Sequence, residues 1–315
     1  MPWAFGYNKS RFGYNGPSSP AELCGMTNMT TSDLADKNRV YLITGGTSGV
    51  GQAIATGLAA QGAKVVILSR TADSGQQAIR RIAEVTGNDQ AEFLVADLSL
   101  LSSIRSASTE FKRRFDRLHG LVNAAGALYF DQQFTAEGNE LTFAVNYLSH
   151  FYLTNQLLDV LQASAPARVV TVGVRPTLLQ NPTLDFQDLQ GRHRFSWLKA
   201  TKQATIARHY FVFTLARRLQ GTGVTSVAFF PGLVTSKLAK HAPWWLKAIT
   251  GLTGLWAKDT CAIGVYLATA PEVAQATGVF FDDQRQVIPL HTQYDPVIGD
   301  TLWHLSEELT GQVQQ

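Results

Sequence analysis

The stretch TGGTSGVG, residues 44–51, follows a short apolar run, VYLIT (40–44), and leads into a helical pattern, QAIATGLAA (52–60). Three glycines at this spacing suit one task. Gly45 permits a tight turn, Gly49 lets the backbone approach a pyrophosphate, and Gly51 lets the following helix pack on the strand. The helix N-terminus then offers amide hydrogens and a favourable dipole to phosphates. A purely structural turn is the alternative, and the strand before the loop and the helix after it weigh against that. Further on, KVVILSR (64–70) ends in Ser69 and Arg70, with no carboxylate to bind ribose hydroxyls. Arginine bonds a 2′-phosphate in bidentate fashion, so NADP(H) is expected over NAD(H). A solvated arginine at a strand end is the plainer alternative.

The elements that must position these groups alternate regularly. After the strands at 40–44 and 64–70 come AEFLVAD (91–97), HGLVNAAG (119–126), ARVVTVG (167–173), VTSVAFFPG (224–232) and GVFFDD (278–283). Helical patterns lie between them, notably at 139–163 and 197–220. In the latter, Ala200, Ala204, Ala207, Phe211 and Leu215 form a stripe fit to pack on a sheet. Near-continuous apolar strands, each followed by a helix, imply an α/β fold: one doubly wound parallel sheet of about seven strands, covered on both faces. Ligands in such sheets bind beyond the carboxyl ends of the strands. A domain over 37–311 is expected, preceded by an irregular arm at 1–36 with a repeated FGYN, and followed by a tail at 312–315.

Bulk properties exclude several functions. The chain has 315 residues, 16% of them charged, and a net charge of +3, too little to argue for nucleic acid. Cys24 and Cys261 are the only cysteines and the N-terminus lacks a secretory pattern, so a reducing, cytoplasmic setting without disulfides is expected. The segment 241–257 is apolar, yet too short to span a bilayer, and carries Lys247. It reads as a lid or substrate wall, within a lid segment at about 237–258. No metal site is expected.

The sequence resembles the short-chain dehydrogenase/reductase family, in its retinol-dehydrogenase-like branch, over residues 37–311. The resemblance rests on TGGTSGVG, ADLS (96–99), NAAG (123–126), FAVNYLSHFYLT (143–154), ARRLQGTGVT (216–225), PGLVTS (231–236) and LWHLSEELTG (302–311). It implies a cofactor site of Gly45, Thr47, Ser48, Gly49, Val50, Gly51, Ser69, Arg70, Asp97, Leu98, Asn123, Ala124, Gly126, Pro231, Gly232, Val234 and Ser236. Within it, Asp97 sits by the adenine, and Pro231, Gly232 and Ser236 border the nicotinamide. Asn146 matches the helix asparagine that organises the family's proton relay.

The family's catalytic residues do not carry over. Its Y-x-x-S-K-L-A-N falls on TKQATIAR, placing Thr201 at the tyrosine and Thr205 at the lysine, while the serine position holds Val174. In the family the lysine lowers the tyrosine pKa so that it can move a proton near neutrality, and the serine bonds the carbonyl. A threonine hydroxyl is a far weaker acid and valine donates nothing. Losing positioned acid–base help removes about 10²–10⁴ in rate. The candidate replacements are Arg175, which follows Val174 and could polarise an oxygen; Asp131, a candidate acid or counter-ion; and Arg208, on the face of Thr201 and Thr205, which could supply the lost positive charge. Each has a solvated surface charge as its alternative. Lys199 and Lys202 lie off that face, and Tyr129 and His150 read as structural.

Two chemistries survive these losses. Hydride delivery to a cationic or otherwise activated acceptor needs no proton donor, and a non-redox cyclisation or isomerisation needs only a shaped pocket. A binding protein that has lost catalysis is the third reading. Trp244, Trp245 and Trp256 in the wall segment suit a bulky, hydrophobic, even polycyclic substrate, or serve as packing. Atypical members that lack these residues occur in natural-product pathways, which makes secondary metabolism the expected setting. Family members form homodimers through the helices near 139–163 and 197–220, or remain monomers, and the sequence leaves both open.

Overall fold

The computed structural model describes residues 39–176, 179, 182–232, 260–288 and 295–312. The arm at 1–36, Val234, Ser236, the lid segment at 237–258 with its tryptophans, and residues 313–315 lie outside the described residues.

The buried apolar runs become strands: β1 (Val40–Ile43), β2 (Lys64–Ser69), β3 (Glu92–Val95), β4 (Gly120–Asn123), β5 (Ala167–Val172), β6 (Val224–Phe229) and β7 (Val279–Phe281). They pair in parallel in the order 3-2-1-4-5-6-7. An eighth, two-residue strand, β8 (Val287–Ile288), runs antiparallel to β7 and was not expected. The helices are α1 (Gly49–Ala60), α2 (Ala72–Thr86), α3 (Leu101–Arg114), α4 (Leu141–Phe143), α5 (Ser149–Gln156), α6 (Leu158–Ala163), α7 (Trp197–Arg218), α8 (Ala262–Thr269) and α9 (Pro296–Thr310).

Strand alternation splits the core in two. Tyr41, Ile43, Val65 and Ile67 face Ile54 and Leu58 of α1, Ile82 of α2 and Leu267 of α8. Leu42, Val66 and Leu68 face the opposite way, into the core of Phe111 on α3, Phe151 on α5 and Phe211 on α7. Both faces are covered, as a parallel sheet requires.

Two helical expectations need correction. The pattern at 139–163 is not one helix: a π-helical turn, Ala144–Leu148, separates α4 from α5, and Leu157 breaks α5 from α6. Asn146 explains the π turn, because its side chain bonds the loop after β4 and its main-chain carbonyl is claimed by another helix. Helix α7 shows no one-sided stripe either; every residue from Gln203 to Ala216 is buried. Its outer side is covered by α9, whose Trp303 meets Phe151 edge-on at 4.9 Å and stacks on Phe211 at 6.1 Å.

Candidate active site

The sheet order reverses between β1 and β4, and the crevice opens there. Helix α1 begins at Ser48, which caps it in extended conformation without a side-chain bond, and no acid stands in its first turn. Its first amides are therefore free to meet an anion. Gly45 takes a left-handed φ of 67°. A Cβ on Gly51 would lie 2.5 Å from the Gly45 carbonyl oxygen, so only glycine lets the helix start so close to the turn. Thr44, which sequence reasoning passed over, is the tie beneath the loop: its Oγ1 accepts from the Ala124 and Ala125 amides at 2.9 Å each. A fully buried hydroxyl at the end of the first strand was the available signal.

The rest of the cofactor set surrounds this cradle. Ser69 spends its hydroxyl on Thr71 and Ser74, whereas Arg70 is exposed with no carboxylate partner among the described residues. Asp97 accepts from the Ser99 amide and hydroxyl, which fixes its carboxylate beside Leu98. Asn123 is fully buried; its Nδ2 donates to Thr154 and its Oδ1 has no partner. His150 Nε2 contacts the Ala125 carbonyl at 3.1 Å, a structural contact that steadies the loop through Ala124 and Gly126. Open amides, a cradle a Cβ would fill, an orphaned Asn123 oxygen and an uncommitted Arg70 fit a 2′-phosphorylated dinucleotide. Thr47 and Val50, half-buried, complete the loop.

At the other end lie Thr201, Thr205 and Val174, the positions onto which the sequence resemblance maps the family's acid–base groups. Thr205 donates its hydroxyl to the Thr201 carbonyl at 2.8 Å, while Thr201 Oγ1 is buried without a partner. Val174 is 37% exposed and presents only methyls. Asn146 clamps Ala127 by two bonds of 2.8 Å, one donated and one accepted. Arg208 is not a surface charge. It is 8% exposed, and it donates from Nε to the Asn146 carbonyl and from Nη1 to the Val172 carbonyl, each at 2.8 Å. No carboxylate pairs with it among the described residues. Burial pulls its guanidinium down to about 10, so it stays charged near neutrality.

The neighbouring histidines stay neutral. Burial first, and then the Arg208 charge, hold His209 down at about 3 and His150 well below the usual range. Arg175, by contrast, has found a counter-ion: Nη2 donates to Asp283 at 2.7 Å, with the guanidinium 4.9 Å from the Phe230 ring. This pair spans the Pro231–Gly232 turn, where a Gly232 Cβ would stand 3.1 Å from Asp283. Asp283 was missed, although it directly follows a strand on the ligand-binding edge. Asp131 is exposed and no bond joins it to these groups. Tyr129 is half-buried near Arg70 and Asp97, and burial raises its phenol.

Phe130 packs against Trp197 at 4.8 Å, and Leu198 is 60% exposed beside them in sequence. Lys199, off the catalytic face as expected, pairs with Asp185 and Asp188 and pins the loop before α7.

A family model for short chain dehydrogenase matches residues 39–246. Polyprenol dehydrogenase of Homo sapiens is 34% identical over 290 residues, covering 87% of this chain and 86% of that protein. Retinol dehydrogenase 12 of Mus musculus is 34% identical over 284 residues, covering 89% of each. Among solved structures, a Mycobacterium paratuberculosis protein superposes with a TM-score of 0.67 at 28% identity, over 90% of this chain and 98% of that one. A Pseudomonas aeruginosa RhlG/NADP active-site complex does so with a TM-score of 0.60 at 27% identity, over 78% and 94%. Glycine cradle, strand order and relatives agree: this chain belongs to the short-chain dehydrogenase family.

Proposed function

We propose that the protein is an NADP(H)-dependent oxidoreductase that passes hydride to an already activated, bulky hydrophobic acceptor without a tyrosine–lysine relay. The observation that carries the reading is the contrast between the two ends of the crevice. Gly45, Gly49 and Gly51 form a turn fit to be a pyrophosphate cradle, while Thr201, Thr205 and Val174, onto which the resemblance maps the relay, carry no phenol, amine or imidazole. When bound, NADPH supplies the hydride. The α1 amides and Arg70 would hold its phosphates, and Asn123, Pro231 and Gly232, with Val234 and Ser236, would line its path. Thr201 and Val174 then shape the acceptor's place without moving a proton. A simple ketone becomes an alkoxide and needs a donor; an iminium ion or a conjugated quinone does not. The apolar side chains of Phe130, Trp197 and Leu198, and relatives named for polyprenol and retinol, support a hydrophobic acceptor. We place the reaction in a biosynthetic route to a secondary metabolite.

The test offers deuterated NADPH with three acceptors: a naphthoquinone, an iminium ion and a saturated ketone. Deuterium is expected in the product of an activated acceptor and not in the ketone's. Ketone reduction at an equal rate would overturn the reading. Product without NADPH consumption would assign a non-redox reaction instead.

A further inference from the structure

Arg208 is a buried charge, 8% exposed, that no carboxylate answers among the described residues. Its Nε and Nη1 end on two neutral carbonyls, leaving both hydrogens of Nη2 without an acceptor there. The position is informative. Val172 ends β5 and lies in register with Phe229 of β6, two residues before Pro231 and Gly232. Asn123 lies in register with Thr171, one residue from Val172. The guanidinium thus sits at the nicotinamide half of the crevice, not at the adenine half marked by Ser69, Arg70 and Asp97. Other charges do not cancel it: Arg175 is paired with Asp283, and His150 and His209 are neutral.

We propose that Arg208 sets the redox-state selectivity of the site: its unanswered positive charge makes the crevice bind NADPH in preference to NADP⁺. This rests on the NADP(H) reading above. The two cofactor forms are alike in their phosphates and adenosine, and differ in that the oxidised nicotinamide ring carries a positive charge. A fixed cation in a poorly solvated crevice repels the oxidised ring and leaves the reduced one untouched. The consequence falls on the bound couple: its potential rises, so bound NADPH is held as a milder hydride donor, and the oxidised cofactor is released readily. The same charge weighs against a cationic acceptor, which leaves the conjugated carbonyl as the acceptor that this crevice floor favours.

Calorimetric titration of the whole chain with NADPH, NADP⁺ and 2′,5′-ADP tests this. In the wild type, NADPH is expected to bind at least about tenfold tighter than NADP⁺, a shift of about 30 mV in the bound couple. Arg208→Met should bring the ratio to near unity while 2′,5′-ADP, which carries only the adenosine half, binds both proteins alike. Should Arg208→Met fail to fold, Arg208→Lys keeps the charge and must keep the preference. Equal wild-type affinities for NADPH and NADP⁺, a preference surviving in folded Arg208→Met, or its loss in folded Arg208→Lys would each overturn the proposal. Failure of 2′,5′-ADP and NADPH alike to bind would instead remove the cofactor reading, and this proposal with it.

Discussion

Replacing Gly51 by alanine tests the cradle at its tightest point. The new Cβ would lie 2.5 Å from the Gly45 carbonyl oxygen, 2.7 Å from its carbon and 2.9 Å from the Thr44 oxygen. All three are backbone atoms, so no side chain can swing aside, and α1 must back away from the turn by at least about 0.5 Å to clear them. Overpacking of this kind costs about 1–3 kcal/mol of stability. The larger effect falls on the ligand, because the retreating helix carries the amides that meet the pyrophosphate. Misplacement on this scale weakens NADPH binding by about fiftyfold. Thermal unfolding reads both effects. At NADPH a hundred times its Kd, the wild type gains about 2.7 kcal/mol, or about 5 °C for a chain of this size. At the same concentration the variant gains about 0.6 kcal/mol, or about 1 °C. Gly87→Ala is the control: Gly87 is left-handed, with a φ of 70°, but nothing lies within 4 Å and it caps α2 away from the cradle. It should lose stability and keep the full NADPH shift. A Gly51→Ala protein with an undiminished shift would refute the placement of the pyrophosphate.

Three further outcomes are expected. Arg70→Glu should weaken NADPH binding by about a hundredfold and leave NADH binding little changed, as titration would show; undiminished NADPH affinity would remove Arg70 from the 2′-phosphate. His150 and His209 bind no proton in the fold but titrate near pH 6.5 when unfolded, so the unfolded state gains protons first and stability falls as pH drops below about 6.5. Two such groups remove about 3 kcal/mol by pH 5.5; denaturant titrations giving equal stability at pH 7.5 and 5.5 would show that the buried rings are protonated. Trp303→Ala should cost about 3–5 kcal/mol, because the buried indole packs against both Phe151 and Phe211; a cost below about 1 kcal/mol in a urea melt would deny α9 its place on α7.

Strands β1, β2 and β4 to β7 were legible because each is a largely buried apolar run, a property that local sequence carries alone, and edge strand β3 keeps enough of it around Phe93 and Leu94. β8 was not, since two residues pair only because Asp282 caps the Gln284 and Gln286 amides in a turn that folds the chain back on β7. The π turn at Asn146 depends on Ala127 and Arg208, partners distant in sequence. The full burial of α7 depends on α9, at the far end of the chain. The glycine turn was readable as residue types at fixed spacing. Helical spacing already put Arg208 on the face of Thr201 and Thr205 as a replacement charge, but nothing nearby in sequence announces its two carbonyl acceptors. The counter-ion of Arg175, Asp283, was unreadable for the same reason: it lies two strands away.

The most direct measurement is the pH dependence of hydride transfer in a single turnover, followed as NADPH oxidation by a naphthoquinone. With no titrating acid or base at Thr201, Thr205 or Val174, and with His150 and His209 neutral throughout, the rate should stay flat from about pH 6.5 to pH 9. A rate that rises or falls through a single ionisation in that window would mean that a proton donor takes part, and would contradict the account.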